Sequence, residues 1–267
     1  MKRIKKSKEP NALKTYRQAC PASSWDAMRN DALHGGKGAY VSIVKTLEAD
    51  QGGICAYCEI KIRRTTNTTR VEHFVPKSLQ HPNHPRFNWT LHWFNLIGVC
   101  NGGSENRSAP GHYLEPVKDN LSCDAHKERT LGAVNSHGWL LNPLALPAMG
   151  PLMKIHRFTG HWTVDETNAG TTRWAGNKHV GTEELVDKSI ETLNLNCPRL
   201  VRSRLTVLHS LEREIKHARD AKIDPAVYMG NLCRRYLYPR YSEFFSVYRS
   251  RLGAEAEAYL LSIGFNG

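Results

Sequence analysis

The sequence predicts an α+β protein in which a small cysteine-bearing unit with short strands is embedded in a mostly helical chain. Two observations carry that expectation. Apolar residues recur at helical spacing at Val41, Val44 and Leu47, and again at Val201, Leu205, Leu208, Leu211 and Ile215. Between these regions, Ile54-Cys55-Ala56-Tyr57-Cys58-Glu59-Ile60-Lys61-Ile62 ends in polar–apolar alternation, and Arg70–Phe74 reads as a second strand. The 267 residues accordingly divide into three. Residues 1–51 form a basic arm and helices, and 52–146 a cysteine-bearing core with an insertion at 101–122. Residues 147–267 form a hairpin followed by a helical region suited to docking a partner.

In chain order, residues 1–20 read as a basic arm running into a short polar helix that Pro21 breaks. Ser23-Ser24-Trp25-Asp26 opens a second helix, and the helix over 39–50 stops at Gly52-Gly53. A knuckle at Cys55–Cys58 leads into a strand, Thr65–Thr69 is a turn, and residues 80–90 form a loop. Leu91–Cys100 is apolar enough for a short helix or a buried segment, whereas 101–122 is rich in Gly, Asn, Ser and Pro and reads as a surface insertion. Thr159-Gly160 marks a hairpin within 155–164. Thr182 is placed to cap a helix whose first turn holds Glu183 and Glu184, and Pro198 starts a longer one. The aromatic residues Tyr241, Phe244, Phe245 and Tyr248 belong to a helical core.

Lys and Arg number 37 against 25 Asp and Glu, a formal charge of +12. The surplus sits in the first two-thirds of the chain: residues 181–267 carry 13 basic and 11 acidic groups. A field of that sign favours a polyanion, nucleic acid first. It equally describes a soluble basic protein whose Lys2, Arg3, Lys5, Lys6 and Lys8 form a disordered, solvated arm. No apolar run approaches the ~20 residues a membrane helix needs, and no apolar segment follows the basic start as a secretory signal requires. A cytoplasmic protein with reduced thiols, acting away from membranes, is expected.

Of the seven cysteines, Cys55-x-x-Cys58, Cys100 and Cys123 carry the strongest local signal. In a reducing compartment a two-residue spacing means a metal knuckle or a redox dithiol. The surroundings of Cys55 lack the βαβ context of the redox motif. Four thiolates suit a closed, tetrahedral structural Zn²⁺, and the 22 residues between Cys100 and Cys123 are no obstacle, since ligands need only meet in space. Cys20, Cys197 and Cys233 stand in helical surroundings as apolar thiols. Between the halves of the cage lies Glu72-His73. A carboxylate that holds a divalent ion beside an imidazole that takes a proton from water makes a hydrolytic pair. Adjacent strand residues point to opposite faces unless the backbone bends.

Read in order, Cys-x-x-Cys, Glu72-His73, Asn95-Leu96, Cys100 and Cys123-Asp124-Ala125-His126-Lys127 resembles the HNH endonucleases of the ββα-metal class. Their pattern is a cysteine pair, an acidic residue and His with Pro shortly after, Trp or Phe before Asn-Leu, and a second cysteine pair followed by Asn, two spacers and Lys. Trp93-Phe94-Asn95-Leu96 matches the middle motif. The form Glu-His-Phe-x-Pro-Lys-Ser is similar to the PtuB-type nucleases of Septu and retron anti-phage systems. So are Lys8-Glu9-Pro10, Leu141-Asn142-Pro143-Leu144 and Thr192-Leu193-Asn194-Leu195-Asn196. The sequence departs from the wider pattern in opening the second cysteine pair by an insertion, and in placing Asp124 where many members have Asn or His.

The resemblance implies a zinc-stabilised ββα-metal (HNH) finger held by Cys55, Cys58, Cys100 and Cys123. It implies His73 as general base, Asn95 as the residue that orients the His73 strand, and Glu72 with Asp124 or His126 on a catalytic Mg²⁺ or another divalent cation. Lys77, Arg63, Arg64, Lys127 and Arg129 are candidate nucleic-acid contacts, though each reads equally well as a solvated charge. The implied partners are DNA or RNA, an ABC/SMC-type ATPase (PtuA-like) and, in retrons, a reverse transcriptase with its RNA–DNA hybrid. A non-catalytic, zinc-stabilised nucleic-acid-binding or adaptor module shares the cysteines and the charge, but has no need of Glu72, His73 and Asn95 together.

Overall fold

The computed structural model describes residues 1–63, 68–79, 84, 87–105, 112–238 and 241–267. Helices α1 (Asn11–Ala19), α2 (Trp25–Asn30) and α3 (Gly36–Asp50) pack together at the start of the chain. Ser24 caps α2 by accepting from the Ala27 N–H at 3.1 Å. The buried stripe of α3 is Ala39, Ile43, Val44 and Leu47; Val41, expected on that stripe, is 47 % exposed. With Leu13, Tyr16 and Met28, this face closes on Leu91, Trp93 and Leu96 of the following unit.

Strand β1 (Arg70–His73) pairs antiparallel with β2 (Leu96–Val99), in a register that sets Glu72 opposite Ile97 and His73 opposite Leu96. Two 3-10 turns, Trp89–Leu91 and Trp93–Asn95, precede β2. The apolar stretch 91–100 is therefore part turn and part buried strand. The strand expected after Cys58 shrinks to one bridge between Ile54 and Lys61. Glu59 takes the left-handed conformation at φ 64°, and the Cys55 N–H donates to Ile60 O at 2.8 Å, so the chain closes a tight turn instead of extending.

After the short α4 (Val117–Asn120), helix α5 (Cys123–Thr130) lies beside the β1–β2 pair. The hairpin of β3 (Met153–Ile155) and β4 (Trp162–Val164) forms around Thr159-Gly160. Then follow α6 (Glu166–Thr171), α7 (Thr182–Thr192), α8 (Pro198–Asp220), α9 (Pro225–Leu237), α10 (Phe245–Leu252) and α11 (Ala254–Ser262). Gly181, not Thr182, is the N-cap of α7; the Thr182 hydroxyl donates to Thr172 O at 2.5 Å instead. Helices α8–α11 enclose their own core of Leu211, Leu232, Leu237, Phe245 and Leu260.

The N-terminal arm departs most from expectation. Met1, Lys2 and Ile4 are at most 4 % exposed, and the Ile4 N–H donates to Pro143 O at 2.9 Å. The Lys6 ammonium lies over the Trp93 ring, 3.3 Å from its centroid, and donates to Trp93 O and to Leu96 O, the latter at 2.6 Å. Apolar Met1 and Ile4 alternate with long aliphatic stems whose charges end on carbonyls and an aromatic face. The arm is a strap across the core. The insertion is likewise more than surface: Asn101, Asn120 and Ser122 are buried, though residues 106–111 lie outside the described ones.

Candidate metal centre and hydrolytic cleft

The four sulfurs of Cys55, Cys58, Cys100 and Cys123 converge within 4.8 Å of one another, all fully buried. Three edges of this cluster measure 3.8 Å (Cys55–Cys123), 3.7 Å (Cys58–Cys100) and 3.8 Å (Cys100–Cys123). A tetrahedron of thiolates ~2.3 Å from a zinc-sized ion has edges of about 3.8 Å. The donor set thus fits such an ion, and the group can hold one. Each ligand arrives from a different local device. Cys55 and Cys58 sit on the tight turn, Cys100 directly follows β2, and Cys123 opens α5 with φ 56°.

Donors around the sulfurs are already aimed at thiolates. The Cys100 N–H donates to Cys55 Sγ (3.3 Å), the Gly102 N–H to Cys100 Sγ (3.4 Å) and the Ser122 hydroxyl to Cys123 Sγ (3.6 Å). Gly102 has φ 66°, and a side chain there would run into Ser122 O, so the close turn demands glycine. Buried Arg199 donates to Ser122 Oγ at 2.6 Å and to Asn120 O at 3.3 Å, holding the segment that delivers Cys123. Arg204 donates to Gly160 O at 2.5 Å and Leu195 O at 2.9 Å. Burial pulls its guanidinium down to about 10, with Cys58 the largest opposing influence. Burial pushes the Cys58 and Cys123 thiols well up, while hydrogen bonds from the neighbouring cysteines draw Cys100 well down. Two buried guanidiniums beside four thiols offset the negative charge of a thiolate cage.

A cleft of about 440 Å³ opens between β1 and α5 and is lined by Glu72, His73, Lys77, Asp124, Lys127 and Glu128. Glu72 and His73 both reach it because β1 ends at His73 and the backbone bends at 74–75. The His73 ring is wedged edge-on against Trp25, centroids 4.7 Å apart at 88°. Its Nε2 lies 3.1 Å from Thr90 O, so that nitrogen carries the proton and Nδ1 the lone pair. Burial holds the imidazole down to about 3, so it is neutral at pH 7. Asn95, 2 % exposed, accepts from the Val75 N–H at 2.7 Å and donates to Val75 O at 2.9 Å and Trp89 O at 3.0 Å. It clamps the chain two residues beyond His73.

Burial first, and Asp124 second, hold the Glu72 carboxyl well above the usual carboxylate range. Lys127 opposes them: its ammonium contacts Glu72 and donates to His73 O (3.3 Å) and Phe74 O (3.5 Å). Two carboxylates at such close quarters call for a cation. The two candidates for the third site residue face different ways from α5. Asp124 lines the cleft with Lys127 and Glu128, whereas His126 turns to α7 and donates from Nδ1 to Thr192 O at 2.9 Å.

Among the basic candidates, Lys77 lines the cleft, and Lys127 is a buried partner of Glu72 rather than a solvated charge. Arg129 is exposed on the last turn of α5, and Arg63 is exposed away from the cleft lining. Arg64 lies outside the described residues. Trp25, Thr90, Arg199 and Arg204 had no sequence signal: their roles depend on neighbours distant in the chain, and Thr90 acts through its carbonyl.

No family model matches the chain. A curated protein of Escherichia coli named "Retron Ec83 putative HNH endonuclease" is 35 % identical over 214 residues, covering 78 % of this chain and 79 % of the relative. The chain belongs to the HNH endonuclease family. Among the described residues, no helix is long and apolar enough to cross a membrane.

Proposed function

We propose that this protein is a metal-dependent phosphodiesterase that cuts nucleic acid, with a structural Zn²⁺ in the cysteine cage and the β1–β2–α5 unit acting as a ββα-metal finger. The observation that carries the reading is a neutral imidazole beside paired carboxylates in one cleft. His73 accepts a proton from the attacking water at Nδ1, while its Nε2–H stays on Thr90 O and fixes the ring. Glu72 and Asp124 hold the divalent ion, Mg²⁺ or another hard cation, which when bound supplies charge stabilisation at the scissile phosphate. Lys127 would then be left to the carbonyls of His73 and Phe74, or to the phosphate. Asn95 positions the His73 strand, and Lys77 with Arg129, Arg63 and Arg64 contacts the phosphate backbone.

The retron in the relative's name supports a role in anti-phage defence. In this reading the chain is the nuclease effector of a PtuB-type complex, docked through near-neutral residues 181–267 onto an ABC/SMC-type ATPase, with a reverse transcriptase and its RNA–DNA hybrid in the retron setting. The test is cleavage of DNA and RNA in Mg²⁺ by wild type, His73→Ala, Asp124→Ala and His126→Ala. His73→Ala abolishes cutting while the protein still folds and keeps its metal content. Asp124→Ala raises the Mg²⁺ requirement, and His126→Ala does not. Cutting retained by His73→Ala would sink the assignment of His73, whereas binding without cutting by the wild type would leave the binding-module alternative.

A further inference from the structure

A second pocket, of about 520 Å³, is lined by Arg3, His137, Leu144, Leu146, Arg173 and Trp174. Its position and chemistry are unused by the cleavage reading. The buried Arg3 Nε has no hydrogen-bond partner among the described residues, although its neighbour Ile4 is pinned to Pro143. Arg173, also in the lining, is exposed, and half-buried Trp174 packs on the main core with buried Leu146. The wall is tied down: the Lys178 N–H donates to Gly138 O at 3.0 Å. Two guanidiniums suit a phosphate, and an aromatic and aliphatic floor suits a base. The volume is that of a small-ligand site.

The pocket also lies a short stretch of chain from the cleft. Gly132 and Ala133 line the cleft, and His137 and Gly138 line the pocket. Five residue steps from Gly132 to His137 span at most about 18 Å, the reach of a handful of nucleotides at ~3.4 Å each along a duplex strand. The His137 ring also packs at 5.3 Å on Phe74, the residue after His73. We propose that this pocket binds a nucleoside phosphate, its base against Trp174 and the leucines and its phosphate on Arg3 and Arg173. The ligand is either an unstacked unit of the strand being cut or a free nucleotide. The strand source rests on the cleavage reading; the pocket itself does not.

The experiment measures binding of a fluorescein-labelled single-stranded oligonucleotide and, separately, of ATP to wild type, Arg173→Ala and Trp174→Leu. Thermal midpoints serve as the control for folding. Weakening of the oligonucleotide by about tenfold in both folded variants assigns the pocket to the strand. Loss of ATP binding with the oligonucleotide unaffected assigns it to a free nucleotide. Unchanged affinity for both probes in folded variants overturns the proposal. Hydrolysis of bis(p-nitrophenyl) phosphate by the wild type, a diester too small to occupy cleft and pocket together, tests the cleft alone. Its failure would count against the cleavage reading and leave the binding result to judge the pocket.

Discussion

Replacing Asn95 by Ala removes a side chain whose three hydrogen bonds all end on main-chain atoms, the Val75 N–H, Val75 O and Trp89 O, at 2.7–3.0 Å. The residue is 2 % exposed, so each of these groups loses its partner where water has little access. At about 1 kcal/mol or more for each, the loss is about 3 kcal/mol. For a chain of this size that lowers the thermal midpoint by about 6–12 °C. Asn95 does not line the cleft, so its influence on cleavage passes through the segment after His73. Turnover therefore falls while KM for a nucleic-acid substrate holds. Differential scanning fluorimetry and steady-state cleavage measure the two effects on one preparation. An Asn95→Ala protein with a wild-type midpoint and no cleavage would refute the reasoning, because it would place Asn95 in the chemistry itself.

Metal analysis of purified protein should find about one zinc per chain in the cage, and Cys58→Ser should lose it. Because structural zinc contributes about 10–16 kcal/mol in finger peptides, more than most domains have to spare, that variant should fail to fold; a folded, metal-free protein would overturn the cage. Ile4→Ala should cost about 2–5 kcal/mol by thermal or denaturant unfolding, whereas a solvated arm predicts no change. Trp25→Ala should cost about 3–5 kcal/mol and lower turnover by freeing the His73 ring, with Trp25→Phe restoring much of both. If cleavage by folded Trp25→Ala matched wild type, the edge contact would have no part in holding the imidazole.

The site was legible where chemistry is written in short spacings. Cys55 and Cys58, Glu72 and His73, and Cys123 with Asp124 each sit on one turn, strand or helix start, so local geometry already groups them. The helical regions were legible from periodicity, although Val41 shows how one apolar residue can sit on the solvent side of a correctly expected helix. The packing of the arm was not legible, because alternating Lys and apolar residues look solvated until a core is present to receive Met1 and Ile4. The strand after Cys58 was misread for a similar reason: alternation of Ile60, Lys61 and Ile62 reports burial of the two isoleucines, not extended pairing, and the left-handed Glu59 leaves no visible mark.

The sequence by itself determined the donors: four thiols of the kind that hold zinc, one imidazole beside a carboxylate, and a cationic surplus suited to phosphate. Only the tertiary structure decided which of them meet. It closed the cage across the long gaps before Cys100 and Cys123, placed Asp124 in the cleft and His126 against Thr192, and turned Lys127 from a surface charge into the buried partner of Glu72. It also set Trp25 on His73. Side-chain chemistry is a property of each residue and survives in any conformation, whereas a contact between distant residues exists only once the intervening chain has packed.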